Sequence, residues 1–323
     1  MSGRRGPAGL VGGGGAGGGG GGSPPDSPTS PDEQEWLRDR DAQQGAGAPG
    51  GPSAPVRPSG TVPRSLENFE AYQHNWELRY FRGFSEEDRQ YLHEQFQRVF
   101  ENNGFYMNID SQYLDNVADE HFKNQFETGG RSGGAEYDAS DMTPSNGRVQ
   151  AAVQLFGLDY QKLRREDYEK YGSMQTLDLA TAAARSPGGY GDALVRFKKE
   201  NVWDRTTYTL GDSLGPAYMN NLVAGKISEG QFTGIEASDA RFLLDRVQQA
   251  ESLVTDAQKW NDVLQGGWGS YLELQYHGSL TMQDVESIVF TRPYNIPDSQ
   301  VLSKLRSYGV KLYKYEGGRI VAL

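Results

Sequence analysis

The chain of 323 residues contains no cysteine, which excludes disulfide bonds, cysteine-ligated metals and a cysteine nucleophile. It has only 4 histidines, and no set of metal-binding residue types shows metal-site spacing. No apolar stretch approaches the roughly 20 residues that a membrane-spanning helix needs. The chain also has few basic residues, with 32 Lys and Arg against 43 Asp and Glu and a formal net charge of -11. This acidity argues against a large nucleic-acid surface, although it leaves room for a local basic patch.

The first 64 residues have few apolar side chains and are rich in Gly, Pro and Ser. Arg4 and Arg5 are not followed by an apolar segment, so the sequence does not predict an ordinary secretory signal peptide. Such a composition cannot bury enough apolar surface to offset the entropy lost on ordering. We therefore predict a disordered leader over 1–64, which is either a plain linker or an export leader like those of delivered bacterial effectors.

Apolar residues at helical spacing predict a helical region over 65–122. Within it, Ser85 and the acidic residues that follow are typical of a helix start, and Asn103-Gly104 of a helix end. The charged run 164–170 is expected to be exposed. Later segments alternate between strand and helix patterns, which indicates an α+β fold with a β-rich domain over 123–323. The predicted strands are 192–199, 206–210, 271–276, 288–291, 310–315 and 319–323, and the predicted helices are 146–155, 238–263 and 299–308.

A carboxylate in the middle of a predicted strand is the most distinctive chemical feature. Glu273 lies in the run Tyr271-Leu-Glu-Leu-Gln-Tyr-His277. Glutamate is depleted in strands and costs free energy when it is buried without partners. Either it lies on the solvated face of an edge strand, or it serves chemistry. Because side chains alternate along a strand, Gln275 and His277 share its face and meet the same ligand or the same solvent.

A Gly-rich polar loop with one arginine begins near residue 128. The residues before it, 122–126, have strand-like character, and Thr128, Gly129, Arg131 and Ser132 lie in the loop. Backbone N–H groups and an arginine are suited to a phosphate. The spacing matches neither a P-loop nor a dinucleotide fingerprint, so an ordinary flexible loop is the alternative.

Hydrolase chemistry has weaker support. Ser213, His277 and an aspartate could form a triad on paper, but the glycines around Ser213 lack the Gly-x-Ser-x-Gly spacing of a nucleophile elbow. No pair of carboxylates stands out as a glycosidase pair.

Three blocks, taken in order, resemble the ADP-ribosyltransferase superfamily, in particular ADP-ribosyltransferase-like domains of bacterial toxins and effectors. They are Gln125-Phe-Glu-Thr-Gly129 with Ser132, the segment from Tyr190-Gly-Asp192 through Asp204-Arg-Thr-Thr-Tyr-Thr-Leu-Gly-Asp-Ser213, and Tyr271-Leu-Glu-Leu-Gln-Tyr-His-Gly278. The resemblance covers residues 65–323. It implies a split mixed β-sheet with flanking helices.

The same resemblance implies that the chain cleaves NAD, without a metal, and moves ADP-ribose onto a protein or another macromolecule. Glu273 would be the catalytic residue. A mono-ADP-ribosyltransferase of this kind would be a secreted effector or toxin delivered into a target cell, and otherwise a cytoplasmic protein. The residues expected to bind NAD are Thr128, Gly129, Arg131, Ser132, Arg205, Ser213, Tyr271, Gln275 and His277, with Arg196 as a further cation and Tyr276 as a further stacking ring.

Two positions depart from the family pattern. Members that modify arginine carry a second glutamate where this chain has Tyr271, and the Arg-Gly or His-Gly signature of the first strand is absent. The acceptor therefore stays open. A non-catalytic interaction module that binds through 65–122 and an NAD glycohydrolase are the alternatives.

Overall fold

A computed structural model of the chain describes residues 63–66, 85–129, 131–132, 135–136, 138, 140–186, 190–210, 213, 224–226 and 272–323. Arg57–Leu323 form one compact unit. The predicted leader up to residue 62, the predicted helix over 238–263 and Tyr271 lie outside the described residues.

Seven helices lie within this part of the chain. They are α1 (Glu86–Asn102), α2 (Leu114–Asp119), α3 (Gln125–Thr128), α4 (Gly147–Phe156), α5 (Leu179–Arg185), α6 (Lys199–Val202) and α7 (Ser299–Ser307). Short 3-10 turns occur at Arg64–Leu66, Ser111–Tyr113, Arg165–Asp167, Trp203–Arg205, Met282–Asp284 and Pro293–Asn295.

The described residues also form eleven strands. They are β1 (Asn103–Ile109), β2 (Arg131–Ser132), β3 (Ala135–Glu136), β4 (Lys170–Thr176), β5 (Ala193–Phe197), β6 (Thr206–Leu210), β7 (Ala224–Lys226), β8 (Leu272–Tyr276), β9 (Val285–Phe290), β10 (Lys311–Glu316) and β11 (Arg319–Ala322).

Nine of these strands form one large sheet, in the order β11-β10-β9-β5-β1-β4-β8-β6-β7. Strands β9 and β10 are parallel, and every other neighbouring pair is antiparallel. A mostly antiparallel sheet with helices confirms the α+β class. The predicted split of the sheet is not seen among the described strands. Strand β8 pairs with both β4 and β6, so the strands on either side of it belong to one continuous sheet.

The largest hydrophobic core lies on one face of this sheet. Helix α1 begins at Ser85, whose hydroxyl accepts the Asp88 N–H at 3.0 Å, and its buried residues Phe96 and Phe100 face the sheet. Their rings contact Tyr208 of β6, with centroid distances of 5.6 and 4.8 Å. Burial of aromatic surface of this size is a major stabilising contribution to the fold.

The opposite face carries Tyr106, Ser173, Glu273 and Thr209, which are register partners on successive strands. Register partners in an antiparallel pair lie on the same side of a sheet, so these four side chains share one face. We call it the Glu273 face. Two separate clusters cover it. Helix α5 packs beside Tyr106, whereas α3, α4 and the turn at residue 66 form a second small core near β8.

Most of the regular elements were predictable within a few residues. The structure confirms α1, α4 and α7 and the strands β5, β6, β8, β10 and β11. Strand β9 is also present, although it begins at Val285, three residues earlier than predicted.

Two local predictions were wrong. Residues 122–126 do not form a strand, because the Asn124 side chain accepts the N–H groups of Phe126 and Glu127 and starts helix α3. The run 164–170 is not exposed throughout, since Tyr168, Glu169 and Lys170 are buried.

The sequence also failed to reveal β1 and β4, the adjacent strands at the centre of the sheet. Strand β1 lies inside the region that was expected to be helical, and it directly follows α1. Strand β4 starts within the charged run that was expected to face solvent.

Candidate functional site

Glu273 lies in the middle of β8, between β4 and β6. Its register partners are Ser173 on β4 and Thr209 on β6. The glutamate is only 4% exposed. The solvated edge-strand interpretation is therefore excluded, and a buried carboxylate needs polar partners to offset its lost hydration.

Those partners hold one oxygen of the carboxylate. Glu273 Oε1 accepts the Ser213 hydroxyl and, at 3.3 Å, the Ser213 backbone N–H. It also accepts a hydrogen bond from Gln275 Nε2 at 2.9 Å. Donors from two directions fix the orientation of the carboxylate. The structure thus brings together three predicted site residues, Glu273, Ser213 and Gln275.

A chain of buried hydroxyl and amide groups continues from Gln275 across β6. Gln275 Nε2 also donates to Thr209 Oγ1 at 3.0 Å, and Thr207 Oγ1 donates to Gln275 Oε1 at 3.1 Å. All three side chains are fully buried. Because the amide uses both its oxygen and its nitrogen, Gln275 is locked in one orientation.

His277 forms the far end of this network. Its Nε2 lies 2.8 Å from Thr207 Oγ1, and its Nδ1 lies 2.9 Å from Ser65 Oγ. The Phe156 ring of α4 packs edge-on against the imidazole, at a centroid distance of 5.3 Å. The histidine is therefore a buried support. Since Ser213 donates to Glu273 instead, these contacts do not form the triad that was considered from the sequence.

On the other side of Glu273, strand β4 presents Tyr171, Ser173 and Gln175 on the Glu273 face. All three are half-buried, in contrast to the fully buried side chains of β6. Tyr171 donates its hydroxyl to Glu169 Oε1, and the Arg148 guanidinium carbon lies 3.8 Å from the centre of the Tyr171 ring. Burial raises the pKa of the Tyr171 hydroxyl well above its ordinary value, although the Arg148 charge opposes this shift.

None of these β4 residues, nor Arg148, was predicted. The signal was present, since Tyr171, Ser173 and Gln175 alternate with Gly172 and Met174 in the period of a strand. The neighbouring charges hid this signal.

Glu169 allows a pH-dependence test of this neighbourhood. The residue is fully buried, and Oε2 has no hydrogen-bond partner in the described part of the chain. Burial raises the pKa of its carboxyl, against the opposing effects of the Tyr171 hydrogen bond and the Arg148 and Lys170 charges. The folded protein then holds the proton to higher pH than the unfolded chain does. Stability therefore falls as the pH rises from the unfolded pKa through the folded one.

We expect Glu169→Gln to remove this dependence, because glutamine stays neutral at every pH. The free energy of unfolding of the variant, relative to wild type, should increase as the pH is raised from 4 to 8. Urea denaturation at several pH values measures it. A variant that becomes relatively less stable over that range would show that the native carboxyl is ionised and stabilised by Arg148.

The predicted cations near Glu273 have other partners. Arg205 forms an ion pair with Asp284 at 3.1 Å and donates to the backbone oxygens of Asn201 and Ser279. Arg196 forms an ion pair with Glu286 at 3.0 Å. Both guanidinium groups therefore have structural roles. Arg131 lies in the β2–β3 hairpin, and its side chain, like that of Ser132, lies outside the described part of the chain.

Thr128 and Gly129 close helix α3. The Thr128 hydroxyl donates to the Asn124 carbonyl oxygen at 3.1 Å, and the Gly129 N–H donates to the Gln125 carbonyl at 3.1 Å. Gly129 has φ of 101°, which favours glycine at a helix end. Their hydrogen bonds lie within helix α3 and not in the Glu273 network, so their predicted contact with NAD stays a prediction.

Tyr276 cannot stack on a ligand bound at Glu273, because it points to the opposite face of the sheet. Its side chain is fully buried, and its hydroxyl donates to the Tyr106 carbonyl oxygen at 3.2 Å. Of the aromatic residues on β4 and β8 that the structure describes, Tyr171 is the one on the Glu273 face.

Within the described residues, no group of three or more His, Asp and Glu side chains could hold a metal ion. None of the described helices is long and apolar enough to cross a membrane.

Comparison with known proteins adds little about activity. No protein-family model matches the chain. The chain is similar to the Gene 2 protein of Mycobacterium phage L5, with 29% identity over 126 residues, which is 38% of this chain and 45% of that protein. It is also similar to the Gene 2 protein of Mycobacterium phage D29, with 27% identity over 125 residues, or 38% and 44% of the two chains. The chain thus spans less than half the length of these curated relatives, whose name states no activity.

Proposed function

We propose that this chain is an NAD-dependent mono-ADP-ribosyltransferase with Glu273 as its catalytic residue. The observation that supports it most is the buried Glu273 carboxylate, held by Ser213 and Gln275 on a polar sheet face with half-buried side chains beside it. Buried ionisable groups held by specific polar partners are enriched at functional sites.

The chemistry requires a stabilised positive charge. The bond between the ribose anomeric carbon and the nicotinamide nitrogen breaks, and its electron pair leaves with nicotinamide. The ribose ring then carries oxocarbenium character, which a fixed carboxylate stabilises more than it stabilises the ground state. The acceptor atom bonds to the anomeric carbon, and its proton passes to Glu273 or to solvent.

The neighbours of Glu273 support this role by restricting its movement. Ser213 and Gln275 both donate to Oε1, and Thr207 and Thr209 hold the Gln275 amide from β6. A preorganised carboxylate needs no rearrangement as charge develops on the substrate. Arg148, beside Tyr171 on the same sheet face, is a nearby cation for the phosphates of the dinucleotide.

A second candidate is a non-catalytic interaction module on the same scaffold. It is favoured by the extent to which the buried polar side chains, from Ser65 through His277 to Gln275, bond to one another. Such a network can serve to specify a unique core without any ligand.

One assay separates these functions. The wild-type chain is incubated with a macromolecular extract and NAD that is labelled either in nicotinamide or in adenosine. A transferase releases nicotinamide and attaches the adenosine label to a macromolecule, whereas a glycohydrolase releases nicotinamide and free ADP-ribose. If the wild-type chain releases no nicotinamide and calorimetry detects no binding of NAD, both NAD activities are rejected. A partner captured equally by wild type and Glu273→Gln would then favour the interaction module.

A further inference from the structure

The approach to Glu273 differs on its two sides. On β6, Thr207 and Thr209 are fully buried and bonded to Gln275. On β4, Ser173 and Gln175 are half-buried. Of the two described strands beside β8, β4 is therefore the more open side for a ligand that reaches the Glu273 carboxylate, between the two helical clusters on this face.

Gln175 is a polar side chain on this path with unused hydrogen-bonding capacity. Its Nε2 donates to Ser173 Oγ at 3.0 Å. Its Oε1 is shielded from solvent and has no partner in the described part of the chain. A buried acceptor without a donor is unfavourable, and it is a site where a ligand N–H or O–H group would bind.

We propose that Gln175 recognises the carboxamide of the nicotinamide ring of NAD, and thereby sets the specificity of the site. An amide is self-complementary to another amide, since each supplies an N–H donor and a C=O acceptor. This inference rests on the proposed NAD chemistry and adds the residue that binds the leaving group, nicotinamide.

The strand spacing fits this arrangement. Ser173 is the register partner of Glu273, so the reacting ribose carbon lies over this pair. Gln175 is two residues further along β4 on the same face, about 7 Å away at strand spacing. That length corresponds to a ring and its substituent, which places the carboxamide at Gln175 when the glycosidic bond faces Glu273. Tyr171 then lies at the opposite end, toward the rest of the dinucleotide.

The test compares binding of NAD with binding of its analogue in which a carboxylate replaces the carboxamide. Calorimetry gives both dissociation constants for each protein. The discrimination ratio is the dissociation constant of the analogue divided by that of NAD. Gln175→Leu removes the amide, and the ratio should fall about tenfold, the value of one or two net hydrogen bonds. Gln175→Glu keeps an acceptor for the carboxamide N–H but repels a carboxylate, so its ratio should rise above that of wild type.

Opposite effects of these two variants would not arise from a purely structural role. Gln161→Leu, an exposed glutamine outside the sheet, is the control and should keep the wild-type ratio. If Gln175→Leu does not fold, as judged by thermal unfolding, Gln175→Glu alone carries the test. An unchanged ratio in a folded Gln175 variant overturns this inference while the proposed function stands. Absence of NAD binding by wild type overturns both.

Discussion

Replacing Glu273 with glutamine should lower the rate of NAD cleavage about a hundredfold to a thousandfold, which is the usual loss when one stabilising group for transition-state charge is removed. The side-chain amide oxygen can still accept from Ser213 and Gln275, so the local structure should persist. NAD binding should therefore change much less than the rate, because the lost interaction develops mainly in the transition state.

Glu316→Gln is the matched control, because Glu316 lies at the exposed end of β10 and pairs there with Lys314. Both variants would be assayed for nicotinamide release and for thermal unfolding. If Glu273→Gln cleaves NAD as fast as the control does, Glu273 is not the catalytic residue. If the loss of activity in Glu273→Gln is explained by the fraction of the protein that is unfolded, the role of Glu273 is structural alone.

Replacing Gly172 with alanine should cause the largest loss of stability among the variants considered. Gly172 lies on the central strand β4, between Tyr171 and Ser173. An added Cβ atom would lie 2.1 Å from the Tyr106 backbone oxygen and 2.7 Å from the Tyr276 ring. Backbone in a central strand cannot yield at small cost, so we expect the free energy of unfolding to fall by about 3 kcal/mol or more.

Gly309→Ala separates steric conflict from the ordinary loss of glycine. Gly309 has φ of 79°, and its Cβ would meet no atom within 4 Å. Its replacement should cost only about 1–2 kcal/mol, from the left-handed backbone conformation. Urea denaturation of both variants measures the difference. Similar losses would show that β4 and β1 can separate to admit a methyl group.

The elements that the sequence predicted well are those with a complete local signal. Helix α1 has its cap at Ser85 and an apolar stripe, the β5 sequence alternates at Ala193, Val195 and Phe197, and β6 is rich in strand-forming residues. Strand β4 was missed because neighbouring charges hid its alternation, and β1 was missed because its place in the sheet depends on distant partners. Asn103-Gly104 is typical of a turn, and only pairing with residues 175 and 176 makes it part of a strand.

The residues of the candidate site also differ in whether a local sequence pattern could predict their contacts. Glu273 and Gln275 were predicted to share a face because their spacing is local, and the hydrogen bond between them confirms it. The contact of Ser213 with Glu273 spans 60 residues and was not predicted, since the family resemblance implied only that both residues belong to one NAD site. Arg205 illustrates the limit, since no local pattern reveals that its charge is paired with Asp284.

The pairing of β8 between β4 and β6 has a consequence for the order in which the chain is made. Both neighbours of β8 precede it in the sequence, and the contact between Ser65 and His277 joins residues 212 positions apart. During synthesis, β4 and β6 emerge before the strand that fills the gap between them. The Glu273 carboxylate and its supports come together only when this last central strand inserts. A growing chain therefore has no assembled Glu273 site until β8 has been synthesised and has paired with both neighbours.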